Sequence, residues 1–519
     1  MFRKNQKHPA TSNSSSISYD PIHADVPRGI EGRKRHESFL PKGYFETLDA
    51  LLAKEFTDHA GDHFLGVIGG KTQLEPLANG RREHVTRGGI PIGLSDDRHR
   101  TIVAGSRSGK GRSAIIPELL TYAGSMIVID PKGENAARTA RYRAETLQQN
   151  VCILDPFGET PPHCEPYRKQ FNPLRMLNPD NLTVIEDAGL IADALIVSTN
   201  SKDAHWDDSS KAFIEGLILF VVFGDFEPDE QNLLTVAELL AGKRHDSIKA
   251  LLSEMIDFGG PDSRVAAAAI ALKECSENER GSILSTARRN LKFLDYDVMY
   301  TALTHHDFDL ETIKGETPMT LYLVLPTMRM STCRQLLRIF VNLTLMAVEK
   351  NKTPPRYPVQ LILDEMATLG YMRELENAIG QIAGLGLKIT SVLQDLNQLK
   401  SLYKDRYETF LGNSGILQFF GNVDFFTTEW LSKYLGNTAI AHEQLNPTSI
   451  EAKVKGQSGR AYQTQTVPLM TPEELRRYLA RGDLFNRQLI LVPGERPWLM
   501  QRANYDTHEL FEGRFDKWF

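Results

Sequence analysis

Two short runs carry the residues best suited to chemistry. The first is Ala104-Gly105-Ser106-Arg107-Ser108-Gly109-Lys110-Gly111-Arg112-Ser113, which sits between an apolar stretch and a helical pattern. Small residues let backbone N–H groups wrap a phosphate, the helix start adds a favourable dipole, and Lys110 reaches the terminal phosphates. Two positions depart from the pattern GxxxxGK(S/T): Ala104 replaces the first glycine, and Gly111 stands where a hydroxyl would ligate Mg2+. The second run, Val359-Gln360-Leu361-Ile362-Leu363-Asp364-Glu365, reads as a buried strand ending in two carboxylates. Alone, such a pair is usually just a strand end. Behind a phosphate loop, Asp364 would hold Mg2+, usually through water, and Glu365 would polarise the attacking water as general base. The next apolar stretch ends in Leu393-Gln394-Asp395, which places Gln394 where a polar sensor meets the terminal phosphate or the water. The expected nucleotide contacts are Gly105, Ser106, Arg107, Ser108, Gly109, Lys110, Gly111 and Arg112. The catalytic set is Lys110, Glu365 and Gln394, the metal residue is Asp364, and the cofactors are ATP and Mg2+.

An α/β architecture must position these residues. A strand over Thr101–Ala104 runs into the Gly/Ser turn, and a helix follows from about Lys110. Strands over Ser125–Ile129 and Val151–Leu154 each end in Asp and Pro, placing polar groups at carboxyl ends, where open α/β sheets bind ligands. Residues 184–307 turn almost wholly helical, with segments separated by Gly, Asp and Pro breaks. Strand character returns at Met319–Leu325, Val359–Leu363, Lys388–Leu393 and Ile416–Phe420. The simplest reading is a parallel-sheet nucleotide domain interrupted by an all-helical insertion. Its expected division is an N-terminal region at 1–84, a first nucleotide-binding part at 85–183, the all-α domain at 184–307 and a second nucleotide-binding part with the C-terminal end at 308–519. Residues 1–40 read as a polar arm, and apolar residues at helical spacing predict a helix over Tyr44–Phe56.

Composition bounds the class. The chain has 519 residues, 41% of them hydrophobic and 24% charged, which excludes a disordered or collagenous polymer. Lys and Arg number 60 against 66 Asp and Glu, so a net charge of −6 argues against a polybasic DNA binder but allows a local basic groove. Four cysteines with no CxxC pair point to a reducing compartment. His163-Cys164 and His305-His306 are neighbours whose side chains diverge, a poor spacing for a metal. The N-terminus has basic residues but no apolar core behind them, so no signal peptide is expected. The longest apolar run, Gly216–Gly224, is about half of the ~20 residues a membrane span needs.

With these motifs assembled, the chain resembles the type IV secretion coupling proteins of the TraG type, over about residues 95–505. The resemblance rests on SRSGKG (106–111), with Gly after Lys as in the family's own loop, IVIDPKGE (127–134), ILDPFG (153–158) and FNPL (171–174). It continues through HWDDSSKAFIEGLI (205–218), LILDEMATLG (361–370), GLGLKITSVLQDLNQL (384–399) and VPLMTPEEL (467–475). It implies a RecA-like P-loop ATPase domain with an inserted all-α domain. The resemblance further implies assembly into hexameric rings or ring-like complexes that pass relaxase-bound single-stranded DNA or effector proteins to a channel at the inner membrane. By matching position, Lys110 is the Walker A lysine, Asp364 and Glu365 the Walker B pair, and Gln394 the sensor. Asp130 and Lys132 would line the same crevice or serve as a strand cap and turn.

Three departures from the family accompany these matches. Relatives usually begin with membrane-anchoring helices, which leaves two expectations open: an anchorless, cytoplasmic member recruited peripherally to the inner membrane, with residues 1–40 as a candidate recruitment arm, or a truncated form of a longer chain. Position 111 lacks the Mg2+ hydroxyl, and Ser113 faces elsewhere. Some relatives carry an arginine after the glycine matching Gly380, where this chain has Gln381, leaving Arg334, Arg338 and Arg373 as either candidates for a trans-acting arginine or ordinary solvated or salt-bridged surface residues. Lys243, Arg244, Arg288, Arg289 and Lys292 could meet nucleic-acid phosphates or simply form a solvated helix face. Two alternatives stay open: a nucleotide-gated docking adaptor with little hydrolysis, and an FtsK/HerA-like DNA pump unrelated to secretion. The helical insertion and the PKGE, DPFG and LMTPEEL motifs argue against the pump.

Overall fold

The computed structural model describes residues 44–53, 61–77, 80, 82–197, 204–259, 263–445 and 460–518. The polar arm over 1–40 lies outside them. Strands among the described residues are β1 (His63–Ile68), β2 (Lys71–Pro76), β3 (Arg82–Arg87), β4 (Ile90–Leu94), β5 (His99–Ala104), β6 (Met126–Asp130) and β7 (Asn150–Leu154). They continue with β8 (Met319–Val324), β9 (Val359–Leu363), β10 (Leu387–Leu393), β11 (Ser414–Phe420), β12 (Asn437–Leu445), β13 (Arg460–Pro468), β14 (Arg487–Leu491) and β15 (Trp498–Gln501).

One sheet runs in the order β4-β1-β15-β14-β11-β5-β10-β9-β6-β8-β7. From β11 to β7 every neighbour is parallel. From β11 out to β4 every neighbour is antiparallel. The parallel strands are apolar runs because both faces are covered. Alternate residues feed two layers. Ile102, Val128, Ile362 and Val392 pack with the helices Ile116–Thr121 and Glu134–Glu145. Val103, Ile129, Leu363 and Leu393 belong to a second core that includes Phe340 and the helical insertion.

That insertion fills the connection between the parallel neighbours β7 and β8, with helices at Val184–Leu195, Ala204–Phe223, Leu233–Ala241, Ile248–Gly259, Arg264–Glu274, Glu277–Leu291 and Asp297–Leu303. The apolar run ending at Gly224 is the buried end of the helix Ala204–Phe223, with Leu217, Ile218 and Leu219 at most 1% exposed. Among the described residues no helix is long and apolar enough to cross a membrane.

The helical reading of the N-terminal region is corrected. The helix there spans only Leu48–Leu52, and β1, β2 and β3 follow before residue 88. β1 is a short apolar run whose six residues are all buried, a pattern that periodicity does not distinguish from helix. Its strand conformation is settled by antiparallel partners, β4 nearby and β15 some 430 positions away in the chain. A buried polar cluster locks it in place. Glu118 accepts from the Phe64 N–H at 3.1 Å, Arg100 at 3.0 Å and Gln360 at 2.9 Å, and its Oε1 lies 2.8 Å from His63 Nδ1.

Candidate nucleotide-binding site

The loop after β5 leaves the carboxyl edge of the parallel strands. Two glycines make its path possible. A Cβ on Gly105 would lie 2.1 Å from the Gly421 carbonyl oxygen, and one on Gly421 would lie 2.3 Å from Ser108 Cβ. The loop therefore packs backbone-to-backbone against the turn that follows β11, a contact open only to glycine at both positions. Arg107 takes a left-handed conformation (φ 56°) and Gly109 a positive φ of 91°. Ser108 Oγ and N–H both donate to the Gly105 carbonyl, closing the turn internally. A wide helical turn over Gly111–Ile115 then leads into the helix Ile116–Thr121.

Four expected residues converge at this edge. Lys110 Nζ donates to Glu365 Oε1 at 2.6 Å and lies 3.4 Å from Asp364 Oδ1. Gln394 Nε2 donates to Glu365 Oε2 at 3.1 Å. Glu365 sits just past β9 in the left-handed region (φ 58°, ψ 44°), a strained conformation for a non-glycine residue. The Thr368 N–H and hydroxyl both bond its carbonyl at 2.8 Å and hold that turn. Asp364 Oδ1 is buried, with the Lys110 ammonium 3.4 Å away as its nearby cation. Burial pushes the Asp364 carboxyl above its ordinary range, and Lys110 offsets part of that. A buried carboxylate oxygen without a short hydrogen-bond donor of its own fits a hydrated divalent cation.

Asp130 joins them from the neighbouring strand. The β6–β9 ladder ends at Val128 paired with Ile362, so Asp130 and Asp364 each lie two residues further along adjacent strands. Asp130 Oδ2 accepts from the Ala136 N–H at 2.9 Å, capping the helix Glu134–Glu145. Burial raises its carboxyl to about 7, the hydrogen bond from Ala136 opposes this, and Asp364 adds to it. Lys132 is exposed at the turn.

Other expected residues are engaged elsewhere. The Arg112 side chain leaves the loop's interior, pairing with Glu83 at 2.7 Å and Asp506 at 2.6 Å, so it offers the site only its backbone. The Ser113 hydroxyl donates to the Gly109 carbonyl at 3.0 Å. Among the candidate arginines, Arg338 is 3% exposed and its guanidinium is bonded to the carbonyls of Ala194, Leu369 and Tyr371. It is a structural tie. Arg373 pairs with Asp193 and Glu374 at the surface. In the insertion, Arg244 pairs with Glu230 and Glu238, and Arg288 donates to the Leu240 carbonyl, while Arg289 and Lys292 are exposed.

Sequence reasoning missed the supports. Gly421 meets the loop from one side. On another, Arg502 Nη1 donates to the Ser108 carbonyl at 2.8 Å and the Tyr505 N–H donates to the Arg112 carbonyl at 3.0 Å. No local signal marks these residues, because each is defined only by its contact with a loop hundreds of positions away.

Residues 67–517 match the family model described as Type IV secretory system Conjugative DNA transfer. The conjugal transfer protein TraG of Escherichia coli is 29% identical over 399 residues, covering 73% of this chain and 61% of TraG. The VirD4 protein of Agrobacterium fabrum is 23% identical over 434 residues, covering 80% of this chain and 60% of VirD4. The chain thus spans about three-fifths of the length of these curated relatives. Among solved structures, the plasmid coupling protein TrwB in complex with the non-hydrolysable ATP analogue ADPNP superposes with a TM-score of 0.58 at 16% identity. That likeness covers 85% of this chain and 96% of TrwB. TrwB in complex with ADP and Mg2+ gives a TM-score of 0.52 over the same share of each chain, also at 16% identity. These likenesses establish the fold, a RecA-like P-loop domain with an all-α insertion.

Proposed function

Because the chain belongs to the type IV secretory system conjugative DNA transfer family, we propose that it is an ATP-hydrolysing coupling protein. In this reading it recruits relaxase-bound single-stranded DNA or effector proteins and delivers them to a type IV secretion channel. The observation that carries the proposal is the convergence of Lys110, Asp364, Glu365 and Gln394 at the carboxyl ends of β5, β9 and β10. The loop from Gly105 to Arg112 would cradle the phosphates of ATP, and Asp364 would hold the Mg2+ that TrwB binds with ADP. Held there, Mg2+ would supply positive charge against the charge that develops on the phosphates. Lys110 turns from Glu365 to the terminal phosphates, which frees Glu365 Oε1 to take a proton from the attacking water. Gln394 steadies the other carboxylate oxygen. In this reading the active form is a hexameric ring at the cytoplasmic face of the inner membrane.

A docking adaptor with little hydrolysis is the second reading. It is favoured by the missing hydroxyl at Gly111 together with the engaged Ser113 hydroxyl. ATP turnover by the purified chain, with and without single-stranded DNA, separates the two. Lys110→Ala should abolish turnover and weaken nucleotide binding. Glu365→Gln should bind nucleotide yet turn over roughly 100-fold or more slowly, the usual effect of losing a general base. Wild-type turnover no faster than that of the variants, at concentrations that allow assembly, would defeat the motor reading and leave the adaptor.

A further inference from the structure

We propose that Arg502 is a positioning residue of the phosphate loop, orienting the Ser108–Gly109 peptide so that the Gly109 N–H faces the bound anion. This rests on the nucleotide-site reading above and adds a residue to it from the far end of the chain.

Arg502 is 4% exposed, directly after β15. Its backbone N–H donates to the Asn486 carbonyl at 2.8 Å, and its guanidinium stacks over Phe420 with 5.1 Å to the ring centroid. Held on both sides, Nη1 reaches the Ser108 carbonyl at 2.8 Å. The described chain has no cis peptide bond. In a trans peptide the C=O and the following N–H point in opposite directions. Drawing the Ser108 carbonyl toward Arg502 therefore turns the Gly109 N–H away from it. The backbone follows because Gly109 adopts a φ of 91°, which costs glycine little.

The electrostatic consequence is direct. A carbonyl oxygen facing a phosphate repels it, whereas an N–H attracts it, so the orientation of this one peptide changes the sign of its contribution to anion binding. A buried cationic donor fixes that orientation more firmly than a neutral one. The same C-terminal segment clasps the other end of the loop. The Tyr505 N–H donates to the Arg112 carbonyl at 3.0 Å, and Asp506 pairs with the Arg112 guanidinium at 2.6 Å. Loop geometry thereby depends on a docked C-terminal segment.

The test uses the full chain with Arg502→Met and Arg502→Lys, followed by thermal melts. Equilibrium binding of a fluorescent ADP with Mg2+ is measured beside hydrogen exchange of the amides from Gly105 to Lys110. A folded Arg502→Met protein should bind at least about tenfold more weakly, with faster exchange in the loop. Arg502→Lys, which keeps one charged donor, should lie between it and wild type. Wild-type affinity and exchange in folded Arg502→Met would overturn the assignment. Where Arg502→Met does not fold, Arg502→Lys decides by the same two readouts, and wild-type values there overturn it equally. Failure of the wild-type chain to bind ADP would remove the nucleotide-site reading itself. Binding by wild type with unaltered variants removes only the role of Arg502.

Discussion

Under the proposed function, Gly111 and Ser113 decide how this chain would hold a divalent cation. Ser113 cannot substitute for the missing hydroxyl, because its own is donated to the Gly109 carbonyl within the helix. Under the proposed function, Asp364, whose buried Oδ1 has the Lys110 ammonium 3.4 Å away, would be the metal residue the loop itself does not provide. A Cβ on Gly111 would meet nothing within 4 Å, so serine fits there. Gly111→Ser should lower the Mg2+ concentration for half-maximal nucleotide binding several-fold, since it adds one oxygen ligand at the consensus position. A Mg2+ titration of ADP binding checks this, and an unchanged midpoint would show that position 111 does not face the metal. Much of this site was legible in sequence. Lys110, Asp364, Glu365 and Gln394 stood out because their chemistry depends on residue type at the ends of recognisable strands. The turn of Arg112 toward Glu83 and Asp506 was not legible, since neither partner is near it in the chain.

The helix that begins at the phosphate loop is tied to its surroundings by Glu118, whose environment makes the element sensitive to acid. Burial pushes this carboxyl up, but His63 and Arg100 more than offset it and hold it down to about 2, against an ordinary 4.5. Its stabilisation is therefore complete above about pH 4.5 and lost as pH falls toward 2. Burial also lowers His63 from its ordinary 6.5, with Glu118 opposing. The unfolded chain protonates that histidine first, so stability already begins to fall as pH drops below about 6.5. Both groups act in the same direction. Urea midpoints should decline between pH 7 and 4 and more steeply below 4.5. Glu118→Gln should cost about 3–5 kcal/mol at pH 7, because it leaves buried Arg100 without its carboxylate, and should flatten the limb below pH 4.5. A variant whose midpoint tracks that of wild type at every pH would contradict this account. The parallel strands were readable because the residues that bound them are distinctive: β5 runs into the Gly/Ser loop, and β6, β7 and β9 each end at or lead into an Asp. β1 was not, because a six-residue buried run takes its conformation from its partners.

At the scale of the molecule, the antiparallel half of the sheet joins segments from both ends of the described chain. β15 lies between β1 and β14, and Trp498 within it is fully buried. Ending the chain before Pro497 would strip β1 and β4 from the parallel strands and remove Arg502 and Tyr505 from the loop. Such a truncation should lose cooperative unfolding and elute as aggregate, since unpaired edge strands and exposed apolar surface drive association. A truncated chain that stays soluble, with a single sharp thermal transition, would show that the parallel strands stand alone.

What the sequence determined by itself is the candidate residues and their order: a Gly/Ser-rich loop with Lys110, the Asp364–Glu365 pair, Gln394 and a helical insertion between strands. These follow from residue types at short spacing, where local sterics, hydrophobic period and charge suffice. What only the tertiary structure decided is the support: the Gly105–Gly421 contact, the Arg502 bond to Ser108, the burial of Glu118 against His63, and the place of β15 beside β1. Each joins residues far apart in the chain. Such contacts have no spacing to read, because they exist only where the folded backbone brings complementary groups within hydrogen-bonding or van der Waals distance.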